Sequence, residues 1–142
     1  MERRDVDAVV AIQSTSPEIA QWTVADYDLA HRPSTFGWVA EDGERIGGFL
    51  VAREVVDEIE ILNIAVLPKL RRQGIGSELL SKALKEASVR GAMHAYLEVR
   101  ASNSPAIEFY KRHDFSVLDR RVRYYASPIE DALILALRLK KI

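Results

Sequence analysis

The sequence predicts a mixed α/β domain, and three consecutive stretches carry the prediction. Residues 58–67 are apolar on both faces towards their end, which is typical of a central strand. Residues 74–90 place apolar side chains at helical spacing, and Gly91 follows as a C-cap. Residues 92–99 form the next strand, which the right-handed crossover rule makes parallel to the first. Strand, helix and parallel strand therefore form the centre of the fold.

The remaining elements flank this centre. We expect helices over 6–14, 23–31 and 103–113, and strands over 36–41, 45–55, 116–125 and 131–139. Asp5 is the expected cap of the first helix, Thr23 with Asp26 of the second, and Asn103 or Ser102 of the third. Almost nothing precedes Asp5, so a first edge strand is either missing or only a few residues long.

Strand alternation makes a further prediction for residues 58–67. It places Ile59, Ile61, Asn63 and Ala65 together on one face of the sheet.

Composition narrows the function classes. The 142 residues suffice for one domain with its own core, and a formal net charge of −1 predicts no attraction to nucleic acid or to an anionic membrane. The absence of cysteine excludes disulfides, cysteine metal sites and a cysteine-bound acyl intermediate.

Location and assembly are expected to be simple. No apolar run approaches the roughly 20 residues of a membrane span, and the N-terminus leads into no signal-peptide core, so we expect a cytoplasmic protein. His31, His94 and His113 have no metal-ligand spacing, and we expect no metal. A monomer is the favoured oligomeric state.

The turn between strand and helix predicts a phosphate site. Pro68 ends the strand, and Gly74 and Gly76 allow a ligand to approach the backbone closely where the helix starts. Free amides there, the helix dipole and the cations Arg71 and Arg72 favour a diphosphate.

Two common phosphate motifs fit this turn poorly. A P-loop requires a Gly-Lys-Ser/Thr ending, which is absent. A dinucleotide fingerprint requires a third glycine where Leu79 stands, although Glu98 lies about 20 residues further on, as that motif requires. The dinucleotide alternative therefore stays open at this point.

The turn resembles the coenzyme A pyrophosphate loop of the GCN5-related N-acetyltransferase (GNAT) family. The family pattern Gln/Arg-x-x-Gly-x-Gly/Ala is met by Arg71, Gly74 and Gly76. Further stretches resemble the RimI-like branch, which acetylates the N-terminal alanine of a ribosomal protein: EILNIAV (60–66), LEVRASN (97–103), AIEFY (106–110), RRVRYY (120–125) and EDA (130–132).

The resemblance implies a fold and an activity. We expect one N-acetyltransferase domain over 1–142, with a mostly antiparallel sheet, a central splayed parallel pair and helices on both faces. The implied reaction transfers acetyl from acetyl-CoA by direct attack to the N-terminal alanine of a small-subunit ribosomal protein. The alternatives are a family member acting on lysine side chains or small amines, and a non-catalytic acyl-CoA binding module.

The resemblance also assigns the coenzyme site. The thioester carbonyl would meet a backbone amide within the strand residues, and the diphosphate would lie on the turn. The implied coenzyme contacts are Ile64, Ala65, Val66, Arg71, Arg72, Gln73, Gly74, Ile75, Gly76, Ser77, Asn103 and Tyr110.

For catalysis, the RimI-like pattern makes Glu98 the general base and Tyr110 the general acid. Glu60 is the rival base, because other family branches place a carboxylate on that strand. Side chains on the same face as Glu98 are expected to desolvate it partly. The structural alternatives are that Glu98 pairs with Arg100 or Arg123, and that Tyr110 packs beside a neighbouring ring.

Five residues are candidate acceptor contacts: Trp22, Tyr27, Asn63, Tyr124 and Tyr125. Glu130 and Asp131 are expected to attract a positively charged peptide N-terminus. Ordinary packing in the core or on a strand is the alternative for all of them.

Overall fold

A six-stranded sheet carries the fold in the computed structural model, which describes residues 1–140. The strands are β1 (Thr35–Asp42), β2 (Arg45–Val55), β3 (Glu58–Val66), β4 (His94–Arg100), β5 (Ser116–Ala126) and β6 (Ile129–Arg138). The α-helices within this range are α1 (Val6–Gln13), α2 (Ile75–Val89) and α3 (Ser104–Arg112). Residues 141 and 142 of the expected domain lie outside the described residues.

The sheet is mixed and mostly antiparallel, as predicted, with strand order β1-β2-β3-β4-β6-β5. The parallel neighbours are β3 and β4. Their pairing runs from Glu58 opposite His94 to Ile61 opposite Leu97 and stops there, although both strands continue. The expected splayed pair at the centre of the sheet is therefore confirmed.

A bulge in β3 changes the face on which its side chains lie. Val51 pairs with Asn63 but Ala52 pairs with Ile61, so Leu62 is an extra residue without a partner in β2. Ile61 packs with the core under α2, while Ala65 packs with the core under α1. The prediction that these side chains share a face is wrong, because one inserted residue reverses the alternation.

Helices cover both faces of the sheet, which confirms the fold class. On one face α2 and α3 pack on Leu50, Ile61, Leu97 and their neighbours. On the other face α1 packs on Phe49 and Val51 at the β1–β3 end. Fully burying each such side chain contributes roughly 1.5–3 kcal/mol.

Residues 23–31 form no α-helix, contrary to the prediction. They form two 3₁₀ turns, Ala25–Tyr27 and Leu29–His31. Thr23 and Asp26 do bond reciprocally, since the Thr23 amide donates to Asp26 Oδ2 at 2.8 Å and the Asp26 amide donates to Thr23 Oγ1 at 3.2 Å. The helix does not continue because Asp28, with ψ 80°, leaves the helical region between the two turns.

The start of the chain also differs from expectation. The Asp5 carboxylate accepts a hydrogen bond from the Glu2 amide at 2.7 Å and does not cap α1. Residues 1–5 contain no strand, and β1 forms the edge of the described sheet.

The other predicted elements are found with ends that differ by a few residues, and the Asn103 side chain caps α3 by accepting from the Ala106 amide at 3.3 Å. None of the helices within residues 1–140 is long and apolar enough to cross a membrane.

Val56 in the β2–β3 turn provides a test of backbone strain. It has φ 55° and is 94% exposed, so a β-branched residue occupies the left-handed region without packing contacts in return. Val56→Asn should raise the free energy of unfolding by about 1 kcal/mol, because asparagine tolerates this region better. Urea denaturation with an unchanged m-value measures the change.

The neighbouring residue is a matched control for Val56. Val55 is 54% exposed and lies in β2 with ordinary strand geometry. Val55→Asn should therefore give no gain in stability. Equal effects of the two substitutions would contradict the assignment of strain to Val56.

Candidate active site

The separation of β3 from β4 creates the site. Glu98 is the first residue of β4 beyond the last paired position, Ile61 opposite Leu97. On the face not covered by α2 and α3, a cavity of about 340 Å³ lies over this point. Its lining residues come from five strands: Arg53, Val55, Glu58, Glu60, Tyr96, Leu97, Glu98, Leu118, Arg121 and Ile134.

Glu98 has neighbours from β5. Arg121 Nη1 lies 4.0 Å from Glu98 Oε1. The pKa of Tyr124 is raised, first by hydrogen bonding to Glu98 and then by the negative charge of that carboxylate. The Glu98 side chain is 30% exposed, so its neighbours shield part of it while it stays within reach of solvent. Within the described residues the nearest cation is Arg121 and not Arg100 or Arg123, so the expected structural pairing is wrong in its partner.

Glu60, the rival base, lines the same cavity but in a different setting. It lies within the paired part of β3, opposite Tyr96, two residues before the strands separate. Its carboxylate also accepts a hydrogen bond from Arg53 Nη2 at 2.5 Å. Glu98 is therefore the carboxylate at the opening, whereas Glu60 is held by an arginine further back.

Tyr110 lies on the other face of the sheet. It is 5% exposed and belongs to the core under α2, where its ring lies edge-on to Phe109 at 5.2 Å and to Phe115 at 5.5 Å. Burial raises the pKa of the Tyr110 phenol. The packing alternative and the proton-donor hypothesis are both compatible with this position, because the ring packs while the phenol stays protonated.

The turn before α2 has the backbone conformation of an anion-binding loop. Arg72 has φ 65° and Gly74 has φ 83°, on either side of Gln73. Left-handed residues in such a turn direct successive N–H groups into one concavity. Gly74 has open space around it, and the first amides of α2 have no intrahelical partner. The loop therefore combines free donors with room for a ligand.

The two arginines of the loop have different roles. Arg71 Nε donates to the Val66 carbonyl at 3.0 Å, and its Nη2 donates to Ser16 Oγ at 2.9 Å. Arg71 thus fixes the loop to β3 and to the segment after α1. Arg72 is exposed, and within residues 1–140 its guanidinium makes neither a hydrogen bond nor an ion pair. Arg72 is therefore the cation available to a ligand.

The other expected coenzyme contacts of the loop lie against different parts of the protein. A Cβ on Gly76 would meet the Phe109 ring at 3.4 Å, so glycine allows α3 to approach the start of α2. Ser77 Oγ lies 2.9 Å from His113 Nε2, and Gln73 Nε2 donates to the Lys69 carbonyl at 3.4 Å. Ile75 packs partly buried against the core.

Three expected coenzyme residues of β3 lie where this strand is free of β4. Ile64, Ala65 and Val66 follow the last paired position, so the β4 side of their backbone has no strand neighbour. Asn103 caps α3, and this hydrogen bond occupies its side-chain oxygen. The amide nitrogen of Asn103 is left for any second contact.

Two of the expected acceptor contacts are buried. Tyr27 is 1% and Asn63 is 5% exposed, and desolvation raises the pKa of Tyr27 to about 12. Tyr27 donates to Gln13 Oε1, and Asn63 Nδ2 donates to the Tyr27 hydroxyl and to the Ala20 carbonyl, both at 3.0 Å. In place of a substrate contact, both residues anchor the segment between α1 and β1.

Gln13 is the centre of this network, and sequence reasoning gave it no functional role. Its Nε2 donates to the Trp22 carbonyl at 2.7 Å, and its Oε1 accepts from the Trp22 amide at 3.0 Å. The sequence feature that points to this role is a polar residue on the buried side of a short helix. Trp22 itself is half-buried, with the Arg32 guanidinium 4.5 Å from its ring centre.

The carboxylates of β6 are engaged within the protein. Glu130 Oε2 accepts from the Ser102 amide at 2.8 Å, and Glu130 Oε1 lies 3.3 Å from Arg100 Nη1. Asp131 accepts from Arg120 Nε at 2.7 Å and from the Arg123 amide at 2.9 Å. The expectation that they attract a peptide N-terminus is therefore replaced by a structural role.

Tyr125 and the histidines complete the placement of the expected residues. Tyr125 is half-buried and lies under Arg100, 4.2 Å from guanidinium carbon to ring centre. His31 contacts Asp28, His94 stacks with Tyr96, and His113 contacts Ser77. In the part of the chain that the structure describes, no group of three or more histidine or acidic side chains is arranged to hold a metal ion.

Comparison with known proteins assigns the family. The model of the Acetyltransferase (GNAT) family matches residues 6–115. A ribosomal protein bS18-alanine N-acetyltransferase of Salmonella typhimurium is 41% identical over 141 residues, which cover 90% of this chain and 95% of that protein. The protein of the same name from Escherichia coli K12 is 35% identical over 131 residues, with 80% and 88% coverage.

Solved structures agree with this assignment. The crystal structure of the Escherichia coli ribosomal-protein-S18-alanine N-acetyltransferase superposes with a TM-score of 0.88 at 30% identity and covers 100% of this chain and 92% of that one. Ard1 from Thermoplasma volcanium has a TM-score of 0.88 at 28% identity, with 99% and 95% coverage. The chain therefore belongs to the GNAT family of acetyltransferases.

Proposed function

We propose that this protein transfers the acetyl group of acetyl-CoA to an α-amino group, namely the N-terminal alanine of a small-subunit ribosomal protein. The observation that carries the proposal is the split between β3 and β4, with Glu98 at its opening on one face and Tyr110 buried on the other. The names of the bacterial relatives support the choice of acceptor.

The coenzyme would enter on the α2 face. The diphosphate would lie on the amides between Arg72 and Ser77, where Arg72 and Gly74 are left-handed and the helix dipole favours an anion. The pantetheine arm would run along the free backbone edge of β3 at Ile64–Val66, which offers amide partners that β4 no longer uses.

The acceptor amine would enter from the cavity on the opposite face. Glu98 lies at the opening and would take the proton from the attacking nitrogen. An α-amino group has an unperturbed pKa of about 7.7–8.0 against about 10.4 for lysine, so it needs less help to lose its proton. A solvent-accessible carboxylate suits this modest demand.

The reaction is a direct transfer between the two faces. The amine nitrogen forms a bond to the thioester carbonyl carbon, and the bond from that carbon to sulfur breaks. Tyr110 would give its proton to the leaving thiolate, and burial keeps the phenol protonated until then. Exposed Tyr124 and half-buried Trp22 and Tyr125 are the proposed acceptor contacts.

The decisive prediction concerns acceptor choice. Peptides starting with Ala, Ser, Met or Gly, and one that is N-terminally blocked but contains lysine, are incubated with acetyl-CoA, and thiol release is measured. We expect release with the unblocked Ala peptide above all, and Glu98→Gln should reduce the rate by about 10²-fold or more, since a general base contributes that much.

The same assay decides between the alternatives. Activity only on the blocked lysine peptide or on free polyamines would replace the proposal by a lysine or small-amine acetyltransferase. Coenzyme A binding without turnover of any acceptor would indicate a non-catalytic binding module. Loss of activity in Glu60→Gln with full activity in Glu98→Gln would move the base to Glu60.

Tyr110→Phe tests the acid. We expect kcat to fall by about 10²-fold while the KM of the peptide changes little, because the hydroxyl acts only as the thiolate leaves. Unchanged affinity for coenzyme A, measured by titration calorimetry, controls for disturbed packing. An unchanged kcat would limit Tyr110 to its packing role.

Arg72→Ala tests the phosphate loop. Removing the free guanidinium should weaken coenzyme A binding by about 1–2 kcal/mol, or about 5–30-fold in Kd. Lys82→Ala removes an exposed cation from α2, away from the loop, and should leave Kd unchanged. Equal Kd values for wild type and Arg72→Ala would remove Arg72 from the site.

A further inference from the structure

We infer that Asp131 is a positioning residue, whose carboxylate holds a bulge in β5 that brings Tyr124 to Glu98. The catalytic consequence of this inference rests on the proposed function. The geometry itself depends only on the contacts among β4, β5 and β6.

The bulge is large. Arg121 pairs with Ala132 and Tyr125 pairs with Glu130, so three residues of β5, Val122 to Tyr124, lie opposite Asp131 alone. Residues in such a bulge lose their regular ladder hydrogen bonds and need other partners. Asp131 is the residue of β6 opposite these three residues.

The Asp131 carboxylate supplies these partners. Its Oδ1 accepts from the Arg123 amide at 2.9 Å, and its Oδ2 accepts from Arg120 Nε at 2.7 Å. Arg123 has φ 53°, a left-handed conformation that costs an arginine about 1–2 kcal/mol. The pKa of Asp131 is lowered, first by the hydrogen bond from the Arg123 amide and then by that from Arg120. The carboxylate is therefore charged at neutral pH.

The bulge determines where Tyr124 lies. Arg121 and Tyr124 are three residues apart, so a regular strand would place them on opposite faces. Both instead lie on the side of Glu98, because the Arg121 guanidinium is 4.0 Å from the Glu98 carboxylate and 5.5 Å from the centre of the Tyr124 ring. In agreement with this placement, hydrogen bonding to Glu98 and the charge of that carboxylate raise the pKa of Tyr124. The extra residues therefore bring Tyr124 to the face of the cavity.

Asp131 is itself fixed relative to β4. Its carbonyl accepts from the Ala101 amide at 3.0 Å, just beyond the end of the strand that carries Glu98. The next residue towards the N-terminus, Glu130, accepts from the Ser102 amide at 2.8 Å. The end of β4 thus holds the β5 bulge at a fixed distance from Glu98.

The first test follows the position of Tyr124 through the pKa of its phenol and does not depend on catalysis. The phenol is titrated in protein labelled with ¹³Cζ-tyrosine, and its resonance is assigned with Tyr124→Phe. The charged groups that face this phenol are Glu98, Arg121 and Glu60. In Asp131→Ala the raised pKa of Tyr124 should fall towards that of free tyrosine, since the phenol leaves Glu98. Asp131→Asn, which keeps an acceptor for the Arg123 amide, should cause a smaller fall.

The second test reads catalysis. Asp131→Ala should lower kcat/KM for the Ala peptide by about tenfold, as expected for losing one hydrogen bond to a charged group, with no change in the KM of acetyl-CoA. Asp131→Asn should recover part of the loss. Adding Tyr124→Phe to Asp131→Ala should cause no further loss, because both act through one contact.

Asp119→Asn is the matched control. Asp119 is an exposed residue of β5 whose carboxylate accepts a hydrogen bond from the adjacent Arg120 amide, outside the stretch from Val122 to Tyr124. Its substitution should change neither the titration nor the kinetics.

The outcomes separate the two proposals. An unchanged Tyr124 titration in both Asp131 variants would overturn the positioning role, even in an active enzyme. Additive losses in the double variant would also overturn it, since they indicate a general structural effect. A shifted titration in a protein that acetylates no peptide would support the positioning role while the proposed function fails.

Discussion

The end of pairing between β3 and β4 is the constraint on which the rest of the site depends. Inside a sheet, backbone donors and acceptors are almost always paired, so two neighbouring strands that separate after Ile61 and Leu97 leave unsatisfied groups. The bulge at Leu62 turns β3 away at this point and reverses which side chains face each core. The proposed pantetheine arm would supply hydrogen-bond partners along this edge.

The split also separates the two proposed catalytic residues. Glu98 lies in a cavity on the face opposite α2, whereas Tyr110 of α3 is buried in the core under α2. A base that serves an incoming amine benefits from access, and an acid that serves a leaving thiolate benefits from burial, since burial holds its proton. The two faces of one sheet therefore provide an accessible environment and a buried one.

Polar contacts hold the segments between the regular elements at defined positions. The Gln13, Tyr27 and Asn63 network fixes the segment after α1, and Arg71 joins that segment to the phosphate loop through Ser16. Positive φ angles at Arg72 and Arg123 occur where the chain must turn a backbone amide or a side chain towards a site. At Arg123 the strain is offset by the hydrogen bond that the Asp131 carboxylate accepts from the backbone amide.

Periodicity and glycine spacing in the sequence determined most of the elements and the anion-binding turn before α2, because both are local properties. The candidate roles of Glu98 and Tyr110 came from the resemblance to the GNAT family. The tertiary structure decided the β3 bulge, the buried role of Tyr27 and Asn63, and the division of labour between Arg71 and Arg72. It also decided that Glu130 and Asp131 bind the protein itself. These features depend on which residues a side chain meets across the sheet, and contacts between distant residues leave no periodic signal in one sequence.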